Sequence, residues 1–84
     1  MITILTNQEK VLAYMHVGDT RCAIAITDRV RKKARDEDDS LPLGLLGTVS
    51  GNSFVPEWNS SVYLVVWDGL SGEAFTREEK IEKI

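Results

Sequence analysis

The most hydrophobic segment of the chain runs from residue 60 to residue 67 and ends in a turn. It is Ser-Ser-Val-Tyr-Leu-Val-Val-Trp, and Asp68-Gly69 follows it directly. β-Branched and aromatic residues favour strands, and Asp-Gly is a common tight-turn pair. Because positions of both parities are apolar, both faces of this predicted strand should be covered. We expect the second cover to be the N-terminal segment or a partner.

A second strand is predicted at residues 43–49, where an apolar run contains two glycines. Pro42 precedes it and ends any helix, because proline lacks an amide donor and restricts the residue before it. Gly51-Asn52 then has the composition of a turn, and residues 55–59 form an irregular connector. The pattern therefore predicts a mainly β fold, in which a charged segment at residues 76–84 closes a small, strongly bent barrel.

The pattern leaves the structure of the first part of the chain open. Thr6-Asn7-Gln8-Glu9 is a capping box, and Gly18 is placed to end a short helix over residues 7–17. The alternative is a hairpin whose strands are residues 10–17 and 21–27. We favour the helix, followed by a strand at the second of these two ranges.

Length and composition indicate one compact domain. The chain has 84 residues, and a domain of this size buries about 60% of the surface of its unfolded chain. A hydrophobic fraction of 43% with 27% charged residues is ordinary for a folded protein and argues against disorder. We assign residues 24–84 to the barrel and residues 1–23 to an N-terminal extension of the same domain.

The charge balance favours protein partners. Lys and Arg total 10 and Asp and Glu total 13, which gives a net charge of −3 at pH 7. This removes the basic field that is typical of a nucleic-acid-binding domain. The single cysteine, Cys22, cannot form an internal disulfide, which favours a reducing compartment. With no signal-peptide pattern and no apolar run near the ~18 residues of a membrane span, we expect a cytoplasmic protein that does not enter a membrane.

Residues 28–39 place a basic block directly before an acidic one. In an extended chain every second residue lies on one face, and that face would collect Arg29, Arg31, Lys33 and Arg35. In a helix the buried stripe would instead consist of Cys22, Ile26, Val30 and Ala34. Periodicity alone leaves both interpretations open.

Five basic side chains of this segment are candidate phosphate ligands: Arg29, Arg31, Lys32, Lys33 and Arg35. Phosphate binding needs clustered cations, which release counterions from the nucleic acid. The four carboxylates at residues 36–39 would partly cancel that field within a Debye length of about 8 Å. We therefore favour a loop in which these charges pair with one another.

The aromatic side chains either fill the core or line an interaction surface: Phe54, Trp58, Tyr63, Trp67 and Phe75. Aromatic rings supply a large contact area at low entropy cost and are frequent at the centres of interfaces. Trp58 lies in the irregular connector, where it either contacts a partner or plugs one end of the barrel. The sequence leaves both interpretations open.

No catalytic or metal-binding pattern is recognisable in the sequence. His16 is the only histidine and has no nucleophile signature near it, and Cys22 has the apolar neighbours of a core thiol. The acidic run at residues 36–39 lacks the spacing of a calcium loop. Gly44-Leu45-Leu46-Gly47 lacks the Lys and Ser/Thr of a phosphate loop. We expect no enzymatic activity, no cofactor and no metal.

Four pieces of sequence, in order, resemble small SH3-like barrels of the KOW and Tudor-like group: residues 26–31, 41–49, 63–69 and 77–84. They include Asp-Arg-Val-Arg, Gly-Leu-Leu-Gly-Thr-Val and Val-Val-Trp-Asp-Gly. Thr27 stands where the group commonly has glycine, and the connector at residues 50–61 is longer than usual. The resemblance covers residues 24–84, and it implies a recognition platform for a protein or nucleic-acid segment.

These observations predict a non-catalytic protein-binding module, an accessory protein that serves as adaptor or inhibitor of a larger bacterial or phage-host machine. The side chains expected to contact the partner are Trp58, Tyr63, Trp67, Arg31, Lys33, Asp38 and Asp39. A homodimer formed through an unpaired barrel edge is also considered.

The alternative function is nucleic-acid binding through residues 29–35. The module would be either a barrel of KOW type or a winged helix. In the winged helix, residues 6–17 and 21–35 would be helices and residues 62–75 would form the wing.

Overall fold

A computed structural model describes residues 15–35 and 40–84, which form five strands and two short 3-10 helices. The strands are β1 (Arg29–Lys32), β2 (Leu46–Val55), β3 (Ser60–Trp67), β4 (Ala74–Arg77) and β5 (Ile81–Lys83). The 3-10 helices are Pro56–Trp58, between β2 and β3, and Glu78–Lys80, between β4 and β5. The prediction of a mainly β fold is confirmed. No helix of the described residues is long and apolar enough to cross a membrane.

The five strands form one antiparallel sheet in the order β4-β3-β2-β1-β5. Its two edge strands, β4 and β5, are therefore consecutive in sequence. In a flat sheet they would lie about 19 Å apart, since strand spacing is ~4.8 Å. Only the helix Glu78–Lys80 joins them, and four Cα–Cα steps reach at most about 14 Å. The sheet must therefore be strongly curled.

A bulge in β2 contributes to the curl. The register pairs Val49 with Val65 and Gly51 with Leu64, so that Ser50 is an extra residue on β2. A Cβ at Gly51 would be in tight contact, because it would lie 3.0 Å from Leu64 Cδ1 and 3.2 Å from Met15 Cβ. The predicted turn at Gly51-Asn52 is therefore wrong: β2 continues through this point to Val55.

The main core lies inside the curled sheet and consists of Ile24, Val30, Val49, Tyr63, Val65, Trp67 and Ile81. A smaller cluster on the other face of β3 consists of Met15, Val62 and Leu64, with Val55 against it. Both faces of β3 are thus covered, as predicted, and Met15 of the N-terminal segment supplies part of the second cover.

Residues 15–28, which we call the N-terminal strap, run along β2 beyond the point where its pairing with β1 ends. Asn52 fixes the strap with two hydrogen bonds, accepting from the Asp19 amide at 2.7 Å and donating to the Ile24 carbonyl at 2.9 Å. The amide of Phe54 donates to Asp19 Oδ2 at 2.9 Å. Asp19 thereby covers an otherwise open part of the β2 edge.

The predicted strand at residues 21–27 is wrong. Residues 21–27 form turns and bends and not a strand, because local bonds such as that from the Ala25 amide to Asp28 Oδ2 fold the backbone on itself. The predicted helix over residues 7–17 lies mostly outside the described residues. Within them, Gly18 has a φ of +92°, and the helix itself stays a prediction.

The winged-helix alternative is also wrong, since residues 21–35 contain β1 and no helix. In β1 the side chains of Arg29 and Arg31 are exposed, whereas Val30 and Lys32 are buried. This alternation is the one predicted for an extended chain. Thr27, with a φ of +80°, prevents a helix from running into the strand.

Candidate interaction surface

The β2–β3 connection carries the most exposed tryptophan of the chain. After Val55, which is extended because proline follows it, Pro56–Trp58 makes one 3-10 turn, and Asn59 reverses the chain with a φ of +46°. No residue of this turn is buried. Trp58 is 50% exposed, so it does not plug the end of the sheet.

Arg77 of β4 holds the Trp58 ring. Its guanidinium carbon lies 4.3 Å from the ring centroid, which is a close cation–π contact. Arg77 forms no ion pair with any other residue in the described ranges. The tryptophan is thus oriented by its neighbour while one of its faces remains open to solvent.

Phe75 extends this surface along β4. It lies two residues before Arg77, on the same face of the strand, opposite Leu64. The Phe75 side chain is 53% exposed. We call Trp58, Arg77 and Phe75 the aromatic–arginine strip.

A groove of about 520 Å³ lies on the other side of the β2–β3 connection, between residues 17–21 of the strap and residues 53–57. Arg21 lies in it, with its guanidinium carbon 5.2 Å from the Phe54 ring centroid. Arg21 also donates to Asp19 through Nε at 3.0 Å and Nη2 at 2.8 Å. These bonds, together with that from the Phe54 amide, hold the pKa of Asp19 well below its usual value. The groove wall is therefore an already paired, rigid unit.

Tyr63 and Trp67, which we predicted as partner contacts, do not lie on this surface. Both face the interior of the curled sheet and are buried. The Tyr63 hydroxyl donates to Glu78 Oε1 at 2.9 Å and accepts from the Ile24 amide at 3.4 Å. Burial, followed by the bond to Glu78, raises the pKa of Tyr63. Trp67 Nε1 is buried with no hydrogen-bond partner in the described part of the chain.

Of the four predicted charged contacts, Arg31 and Lys33 are also separated from Trp58. Asp38 and Asp39 lie outside the described residues. Arg31 pairs with Leu46 at the far end of β2, and a ten-residue strand spans about 30 Å. Lys33 follows β1 at that same end and is exposed. The structure therefore does not bring Arg31 and Lys33 together with Trp58.

The five basic side chains of residues 29–35 do not form one open face. Arg29 donates to both carboxylate oxygens of Asp68, at 2.9 and 2.6 Å, and Arg31 donates twice to Glu82, at 2.8 and 2.6 Å. Lys32 is only 4% exposed, with Nζ 5.5 Å from the Trp67 ring centroid. Of the five, Lys33 and Arg35 alone are exposed and make no ion pair with described residues.

One serine, one histidine and one glutamate lie together, but not in a catalytic order. Glu73 Oε2 accepts from Ser50 Oγ and contacts His16 Nε2 at 2.8 Å. The carboxylate stands between the hydroxyl and the imidazole, whereas activation of a serine requires the imidazole in the middle. The trio instead connects the strap to the β2 bulge and the β3–β4 turn, and it lowers the pKa of Glu73.

The remaining chemical candidates are equally unreactive in this setting. Burial raises the pKa of the Cys22 thiol, which disfavours the nucleophilic thiolate. Within residues 15–35 and 40–84, no cluster of three or more His, Cys, Asp or Glu side chains could hold a metal ion. Gly47 is required by packing, since a Cβ there would lie 2.7 Å from Val65 Cγ1.

Comparison of the chain with protein-family models, with curated proteins and with solved structures finds no match.

Proposed function

We propose that this chain is a small non-catalytic protein-binding module, which contacts its partner through the aromatic–arginine strip. The observation that carries the proposal is the position of Trp58: it is half exposed at the β2–β3 connection and held in orientation by Arg77. Tryptophan and arginine are the residue types most enriched among the residues that dominate interface energies. A ring fixed before binding also loses little entropy when the partner arrives.

We further propose that the sheet is an SH3-like barrel. Three features support this: the curl required by the β4–β5 connection, the pairing of the first strand with the last, and the bulge in the long central strand. Thr27 adds a fourth, since its left-handed backbone lies where the resembling group commonly has glycine. A fold alone does not establish a function. The proposal of protein binding therefore rests on the aromatic–arginine strip.

A protein partner is favoured over nucleic acid by the state of the basic residues. Arg29 and Arg31 are paired with carboxylates, and Lys32 is buried. A phosphate backbone would have to displace two such pairs in a chain whose net charge is −3. We propose a cytoplasmic accessory role for this module, as adaptor or inhibitor, because a lone, half-buried thiol suits a reducing compartment.

Affinity capture from a cell lysate, with and without nuclease, tests the proposal. The bait is the full chain, compared with Trp58→Ala and with Leu70→Ala. Leu70 is a matched control, because it is also an apolar residue 50% exposed, but it lies in the β3–β4 turn. Circular dichroism of each variant checks that the fold is kept.

The proposal predicts a discrete protein that is retained after nuclease treatment, lost with Trp58→Ala and kept with Leu70→Ala. Two results would contradict the proposal and favour nucleic acid. One is capture that disappears with nuclease, and the other is capture that is lost with Lys33→Glu/Arg35→Glu but kept with Trp58→Ala.

A further inference from the structure

The direction of the backbone groups along β3 can be assigned from one bond. The Asp68 amide donates to the Leu46 carbonyl at 2.9 Å, just beyond the paired residues of β2 and β3. In an antiparallel pair, alternate residues of a strand point their N–H and C=O groups to opposite neighbours. Even-numbered residues of β3 therefore face β2, and odd-numbered residues face β4. The Leu64 carbonyl agrees, because it accepts from Ser50 Oγ on the β2 side.

It follows that, among the described residues, β4 has an open hydrogen-bonding edge. Tyr63 pairs with Thr76 and Val65 with Ala74, so those residues of β4 bond to β3. Phe75 and Arg77 point their N–H and C=O groups the other way, where the sheet ends. Among the described residues, no hydrogen bond reaches the N–H and C=O of Phe75 or the N–H of Arg77, whereas the Arg77 carbonyl, at the N-cap of the helix Glu78–Lys80, accepts the first bond of that helix.

The side chains beside this edge add chemical selectivity. Exposed edge strands invite pairing with another extended chain. The side chains of Phe75 and Arg77 stand on the outer face, next to Trp58, while Thr76 between them is buried. The guanidinium of Arg77 has no carboxylate partner among the described residues. An incoming strand would thus meet a cation between two exposed aromatic rings.

We propose that the partner contributes an extended peptide segment that adds to β4 as a sixth strand and carries a carboxylate opposite Arg77. The segment exchanges two backbone hydrogen bonds with Phe75 and accepts a third from the Arg77 N–H, the mode known as β-augmentation. Its acidic side chain pairs with Arg77, and an apolar side chain two residues away lies against Phe75. This inference rests on the proposed protein-binding function and adds to it the mode of binding and the chemistry of the partner.

A second copy of the chain is a less suitable occupant of this edge. β4 has four residues, and two such strands pairing with each other bury far less than the ~1,200 Å² of a stable interface. Antiparallel self-pairing would also bring the two Arg77 side chains near one another without a carboxylate. A short acidic peptide needs no such area and supplies the missing charge.

Two substitutions of Arg77 separate the backbone contact from the side-chain contact. Arg77→Ala and Arg77→Pro both remove the guanidinium, but only proline removes the outward N–H. Arg77 has a φ of −82°, close to the value that proline imposes, and its N–H makes no bond to β3. Proline should therefore keep the fold, which thermal unfolding of both variants checks.

The probe is a peptide selected from a phage-displayed library of random ten-residue sequences against the full chain, then synthesised. We expect enriched peptides to contain Asp or Glu with apolar residues at alternate positions. Replacing that acidic residue of the peptide by Asn or Gln removes a charge-assisted hydrogen bond and should weaken binding about tenfold. Arg77→Pro blocks a backbone hydrogen bond as well, so it should bind the peptide about tenfold more weakly than Arg77→Ala. In hydrogen exchange, the amides of Phe75 and Arg77 should be fast in the free chain and slow in the complex.

Failure of this inference is distinguishable from failure of the proposed function. Equal binding by Arg77→Pro and Arg77→Ala, no enrichment of acidic peptides, or no enrichment at all would overturn strand addition, while Trp58-dependent capture would still support the binding module. Analytical ultracentrifugation of the free chain provides a further check. A concentration-dependent dimer that Arg77→Pro abolishes would replace the peptide by a second copy and overturn the proposal.

Discussion

Arg29 and Arg77 are exposed arginines on the same sheet, but their surroundings are opposite. Arg29, on β1, donates to both carboxylate oxygens of Asp68 and to Thr48 Oγ1. Arg77, on β4, stacks on Trp58 and makes no ion pair within the described ranges. The first guanidinium is occupied by the chain itself, whereas the second still has its planar face and its N–H donors in contact with solvent.

The difference shows that clustering of basic residues in a sequence does not identify which of them lack an ion pair in the fold. An exposed ion pair contributes about 0–1 kcal/mol to stability, so the Arg29–Asp68 pair has little effect on folding. Its larger effect is on binding, since any ligand of Arg29 must displace two charge-assisted hydrogen bonds. Arg77, which belongs to no basic cluster in the sequence, makes no ion pair with the described residues and lies beside an exposed tryptophan.

The largest expected difference is between the two tryptophans, in what each contributes to the free energy of unfolding. Trp67 lies in the main core, so Trp67→Ala should lower the free energy of unfolding by about 3–5 kcal/mol. Trp58 is half exposed, so Trp58→Ala should cost less than about 1 kcal/mol. Urea unfolding followed by far-ultraviolet circular dichroism measures both values. Similar losses would mean that Trp58 is part of the core and not of an interaction surface.

The attachment of the N-terminal strap to the sheet should depend on Asn52. Asn52→Ala removes bonds to the Asp19 amide and the Ile24 carbonyl in a buried site, at a cost of about 2 kcal/mol. Amide exchange at residues 19–24 should accelerate with it. Ser53→Ala is the control, because the Ser53 side chain makes no hydrogen bond with the described residues. An equal response of the two variants would contradict the role of Asn52.

The substitution Thr27→Gly should stabilise the fold. Its φ of +80° is a strained conformation for a β-branched residue, and relief of that strain should raise the free energy of unfolding by about 1 kcal/mol. Thr20→Gly is the control, since Thr20 is exposed but has no positive φ, and it should destabilise. Thermal unfolding compares the two. A lower melting temperature for Thr27→Gly would show that the left-handed backbone is not present.

The smallest expected effect is a loss of folding stability in acid, caused by protonation of Asp19. Its pKa in the folded chain is lowered from 3.8, first by the Arg21 side chain and then by the Phe54 amide. The stability that it contributes is therefore complete above pH 3.8 and is lost as the pH falls toward the folded-state pKa. Urea unfolding of the native chain and of Asp19→Asn should give stability curves that converge below pH 3.8. Curves that stay parallel would contradict the assignment.

Local pattern was sufficient to predict β3, and for an extended chain it gave the alternation in β1, although it left a helical interpretation of that segment open. The run from residue 62 to residue 67 is β-branched or aromatic at every position except Leu64, and a strand results whatever its neighbours are. In β1, one buried valine between exposed arginines defines the parity. Both features depend on adjacent residues, which the sequence shows directly.

Other features depend on contacts between distant residues. Arg29 meets Asp68 39 residues away and Arg31 meets Glu82 51 residues away, so the nearby acidic run at residues 36–39 was a misleading guide to their pairing. Asn52, which has the composition of a turn residue, is instead a buried bridge to the strap. Whether Trp58 is exposed or buried depends on the curl of the sheet, which no local pattern encodes.

We expect the Trp58–Arg77 end of the sheet to bind a protein and the Arg29–Asp68 end not to bind one. Nuclease-treated capture with Arg77→Ala and Arg29→Ala tests it most directly, because each variant removes one exposed arginine from the same sheet. We predict that the partner is lost with Arg77→Ala and kept with Arg29→Ala. Loss with Arg29→Ala while Arg77→Ala retains the partner would contradict the account.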